Sequence, residues 1–165
     1  MVTTLYGVIM SFVNGVEVVG QTFVTVEFPP IHVFPIFYMK PITWLTFAII
    51  LFTYSTLELY RERITTVSDT KTNLALLVSF IVASLSAYEL LFNFTLWGGL
   101  IASGSLLGNL NPDIIVNPFP NPQIPWNIVF ATKMYFSLTV VGLYFFYFVS
   151  KVKQERKIYE YLLER

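Results

Sequence analysis

The stretch Leu74–Ile101, LALLVSFIVASLSAYELLFNFTLWGGLI, carries one charged residue, Glu89, in 28 positions. A helix needs about 20 mostly apolar residues to cross a hydrocarbon core about 30 Å thick. This run exceeds that length, and Pro41–Tyr60 and Ile128–Val149 match it. The expected fold is an all-α integral membrane protein with three transmembrane helices, at about 41–60, 74–101 and 128–149. At 1.5 Å per residue the central helix is roughly 42 Å long, so it must tilt, bend or protrude.

The rest of the composition agrees. Hydrophobic residues make up 55% of the 165 and charged residues 12%, about half the charged share of a soluble domain. Membrane lipids or other membrane protein subunits must therefore cover much of the surface. Ten basic and ten acidic residues cancel, so no bulk charge draws the chain to nucleic acid. There is no cysteine and a single histidine, His32. That excludes disulfides, thiolate metal sites and a haem held by two histidines within this chain. No cofactor is expected, and the reading is against an enzyme, because no nucleophile–base pair arises by spacing.

One membrane domain is expected over residues 1–165. Its N-terminal part, 1–40, is apolar but interrupted. Asn14-Gly15 between β-branched and aromatic residues is a hairpin signal, since both residues accept the positive φ of a tight turn. The strand formers of Thr22–Phe28 end at Pro29-Pro30. The expectation for 1–40 is a hairpin, re-entrant or interfacial segment, with a short fourth membrane segment at Leu5–Val19 as the alternative. No basic n-region or clean apolar run marks a signal peptide.

Pro41 suits the first turn of a helix, where its missing N–H costs nothing. After the first two helices (41–107), the 108–126 loop alternates Asn109, Asn111, Asn117 and Asn121 with Pro112, Pro118, Pro120, Pro122 and Pro125. Glycines 98, 99 and 104 are expected to loosen the helix that precedes it. Segment 127–165 reads as the third helix with an extension, supported by Lys151/Glu155 and Arg156/Glu160 at i,i+4.

Arg61, Arg63 and Lys71 flank the 61–73 link, while Lys151, Lys153, Arg156, Lys157 and Arg165 follow the third span. By the positive-inside rule, a multi-pass cell-membrane protein places that link and the C-terminus in the cytoplasm, with the 108–126 loop outside. Trp126 then anchors the outer interface, and Tyr144 and Tyr147 the inner one, as an aromatic belt.

Glu89 lies near the middle of the second span, where a carboxylate normally faces protein or water. Ser79, Ala83, Ser86, Glu89 and Asn93 fall on one helical face, a small and polar stripe. Such a stripe serves as a helix–helix seam or as a path for protons or ions. Lys133, about seven residues inside the third span, has two options: snorkelling outward or pairing with Glu89. Glu58 is expected at headgroup level beside Arg61.

Two functions follow. The leading one is a non-catalytic multi-pass subunit that packs into and stabilises a larger membrane complex, for which respiratory and energy-transducing assemblies are the common setting. The alternative is a small homo-oligomeric ion or proton channel or transporter using the Ser79-Glu89-Asn93 face.

Overall fold

The computed structural model describes residues 20, 23–24, 32–34, 37–38, 40–108 and 127–163. Nearly all of them are helical. A short antiparallel pair, β1 (His32–Phe34) and β2 (Phe37–Tyr38), sets His32 against Tyr38 and Phe34 against Phe37. The helices α1 (Pro41–Leu59), α2 (Arg61–Thr65), α3 (Asp69–Leu106) and α4 (Ile128–Leu163) follow. Three of them, α1, α3 and α4, are long and apolar enough to cross a membrane.

The starts of the three long helices differ in their local chemistry. The Lys40 carbonyl accepts from Thr43 and Trp44, leaving Pro41 in the first turn, the position its fixed φ suits. At α3 both the amide and the hydroxyl of Thr72 reach the Ser68 carbonyl. At α4 the Asn127 side chain accepts from the amides of Val129 and Phe130 at 2.9 and 3.0 Å, so an asparagine N-cap satisfies two otherwise orphaned donors.

Two expectations need correcting. Glycines 98, 99 and 104 do not loosen α3, which continues to Leu106 and stops before Gly108, at φ +67°. In apolar surroundings an unsatisfied peptide group costs more than a glycine does in a helix, so the ladder persists until a left-handed residue can close it. Phe23 and Val24, inside the expected strand run, have helical backbone. Their packing explains it: both are buried against Ile42, Leu45, Val129, Phe130 and Met134, and tertiary burial overrides strand propensity. The turn expected at Asn14-Gly15, the 108–126 loop and Trp126 lie outside the described residues.

The chain divides into two compact units, one of residues 1–48 and 89–135, the other of 49–88 and 136–165. In the first, Gly20 has φ +86° and the Phe130 ring occupies the space a Cβ would need. In the second, Leu57, Phe148, Val149 and Val152 form the buried cluster, with Ile64, Leu76, Tyr144 and Phe145 packed on it. There α3 and α4 approach closely. A Cβ on Gly142 would lie 3.1 Å from the Ala83 Cβ, so small residues on both helices set the separation.

Candidate functional site

Polar side chains on the apolar helices are mostly satisfied by their own backbone. Thr46, Thr53, Thr95 and Thr132 donate to the carbonyl four residues earlier. Ser79 Oγ donates to Leu76 O at 2.9 Å and Ser86 Oγ to Val82 O at 2.7 Å. Both serines are buried. With their protons used inside the helix, they act as small packing residues with no donor to offer a ligand.

Glu89, Asn93 and Trp97 differ. Glu89 is half-buried and makes no hydrogen bond or ion pair among the described residues. Asn93 is 0% exposed, and neither its Nδ2 nor its Oδ1 has a partner among the described residues. Trp97 Nε1 is also buried without one. These residues stand at four-residue steps on α3 and therefore share a face. Trp97 extends the stripe one turn beyond the sequence expectation. Its four-residue spacing from Asn93 was the available signal.

Lys133 Nζ donates to Thr43 Oγ1 at 2.9 Å, tying α4 to α1 within the first unit. No hydrogen bond or ion pair joins it to Glu89.

Several charged residues of the second unit are paired across helices. Tyr144 donates to Glu58 Oε1 at 3.2 Å, and Arg61 lies 3.5 Å from Glu58 Oε2. Arg61 Nη2 also grips both Glu155 oxygens, at 2.7 and 2.9 Å. One guanidinium nitrogen shared between both carboxylate oxygens is a charge-assisted, end-on contact. It holds the Glu155 carboxyl below the usual carboxylate range, chiefly through the Arg61 hydrogen bond. Arg156 binds Asp69 and the Val67 carbonyl, and Lys153 donates to Asn73.

Those partners add to the local reading of the extension. Glu155 hydrogen-bonds Arg61 from the far link, while Lys151 one turn away acts on it through charge alone. The side chain expected for Arg156, at position 160, lies outside the described ones. Tyr144 bonds across helices, while Tyr147 is exposed.

Beside Tyr54 and Tyr144, whose rings are 5.4 Å apart, lies a cavity of about 370 Å³ also lined by Ile50, Leu51, Val140 and Val141. Its polar neighbours are occupied: Thr53 donates to Ile49 O, and Tyr144 to Glu58. Among the described residues no three His, Cys, Asp or Glu side chains gather as a metal site. Comparisons with family models, with curated proteins and with solved structures find no match to this chain.

Proposed function

We propose that this chain is a non-catalytic multi-pass membrane subunit that packs into and stabilises a larger membrane complex. The reading places the 61–73 link and the C-terminus in the cytoplasm, following the basic residues. One observation carries it. Ile158, Tyr159, Leu162 and Leu163 are between 61% and 74% exposed on α4, beyond its apolar run. Helix α4 has no break between that run and Leu163.

Counting from Val149, Ile158 stands about 13 Å and Leu163 about 21 Å past the hydrocarbon edge at 1.5 Å per residue. The headgroup layer is only about 5–8 Å deep. Even a tilt of about 40° leaves Ile158 roughly 10 Å out. Lipid therefore does not cover these side chains. Positions 158, 159, 162 and 163 form one stripe, and a contiguous apolar stripe in water marks an interface with another protein.

Purification in mild detergent with mass determination tests this. A stoichiometric assembly well above the 19.0 kDa chain is expected. The double variant Ile158→Asp/Leu162→Asp should release the chain as a monomer that remains folded. A wild-type chain that is monomeric in every mild detergent refutes the proposal.

The unpartnered Glu89 and Asn93 favour a second reading, a homo-oligomeric proton or ion channel using the Ser79-Glu89-Asn93 face. Against it, Ser79, Ser86 and Asn93 are buried within the chain, so a second copy has little access to them. Proton flux in liposomes that Glu89→Gln alters would support it, and absence of flux at every pH would remove it.

A further inference from the structure

The orphaned polar atoms of α3 are of two kinds. Trp97 Nε1 and Asn93 Nδ2 only donate, and Asn93 Oδ1 only accepts. Native interiors rarely leave such groups unsatisfied, and the usual remedy is an ordered water. Three orphans within one turn are therefore a site with a specified ligand chemistry: something small that both donates and accepts.

Distances favour water. Successive members of the series Glu89, Asn93, Trp97 are separated by about 6 Å along the helix axis. Two hydrogen bonds of about 2.9 Å placed end to end span that gap. A direct Asn93–Trp97 hydrogen bond is not made. Asn93 is fully buried, which leaves no entry for a headgroup.

We infer that Asn93 and Trp97 hold one or two ordered waters on the α3 face and that this hydration extends to Glu89. The first water accepts from Trp97 Nε1 and donates to Asn93 Oδ1. A second accepts from Asn93 Nδ2 and donates toward the Glu89 carboxyl. The half-buried carboxyl, without a protein partner, then has a hydrogen-bonded one.

Three tryptophans, Trp44, Trp97 and Trp126, make the test compact. Full-length protein labelled with 15N-tryptophan gives three indole N–H signals in detergent micelles, and Trp97→Phe identifies the one that matters. The expected result is a cross-relaxation peak between the Trp97 indole proton and long-lived water. In Asn93→Leu that peak should be lost while the other two indole signals stay in place. A Trp97 indole that cross-relaxes only with detergent or lipid chains, or with no solvent at all, overturns the inference. So does a water peak of unchanged intensity in Asn93→Leu. If that variant fails to fold, the wild-type Trp97 spectrum decides between the same outcomes.

Discussion

Gly142 is the position where one substitution should separate two helices. A Cβ there would lie 3.1 Å from the Ala83 Cβ and 3.2 Å from its Cα and amide nitrogen. Optimal carbon–carbon separation is about 3.5–4.0 Å, so the first added atom is already about 0.4–0.9 Å too close. Two of its three near neighbours are backbone and cannot rotate away. In Gly142→Ala the compression is a few tenths of an ångström, and it is opposed by the roughly 1 kcal/mol that alanine gains over glycine in a helix. The net change should fall within about 1 kcal/mol of wild type. Gly142→Leu adds three more carbons against the same backbone, and overpacking of that kind costs about 1–3 kcal/mol.

Reversible unfolding in mixed micelles, followed by helicity, measures both variants. The swap Ala83→Gly/Gly142→Ala refines the test. Removing the Ala83 Cβ relieves the nearest contact and leaves the two at 3.2 Å, so recovery should be partial and the pair non-additive by at least about 0.5 kcal/mol. A Gly142→Leu protein as stable as wild type refutes the close crossing of α3 and α4.

The other expectations concern single contacts. Because Arg61 holds the Glu155 carboxyl below its ordinary range, its contribution is fully present above about pH 4.3 and is lost as pH falls through the lower folded-state value. Amide protection at 155–163, measured relative to intrinsic exchange at the same pH, should fall below about pH 4, and Glu155→Gln should remove that pH dependence; an unchanged acid response in Glu155→Gln would count against the Arg61 contact. Asn127→Ala should lower stability by about 0.5–2 kcal/mol as a lost N-cap, with Asn127→Asp much milder; equal losses would mean the cap bonds contribute nothing. Lys133→Met should be additive with Glu89→Gln but coupled to Thr43→Val in a double-mutant cycle of stability, and the reverse pattern would restore the ion pair with Glu89.

What the sequence made legible is the part governed by the bilayer. Run length alone reveals three helices suited to a membrane, and Pro41 locates the start of the first, because the fit of a proline to a first turn is local chemistry. Helix ends were less legible. Glycines 98, 99 and 104 carry a breaker signal calibrated in water, whereas an apolar setting penalises the broken ladder more than the glycine. Asn127, the fully buried cap of α4, was hidden by the run of asparagines before it. Its signal was its place immediately ahead of an apolar run.

The charged pairs were illegible for a different reason. Arg61 and Glu155 are 94 positions apart, and an i,i+4 rule sees only neighbours within one helix. Composition therefore predicts which side chains must find partners, while the choice of partner belongs to the packing. Glu89, Asn93 and Trp97 show where that leads. Their depth in an apolar helix makes each of them costly. None of the described residues hydrogen-bonds the Glu89 carboxyl or the buried Asn93 and Trp97 polar atoms, and that is the need the inferred waters would meet.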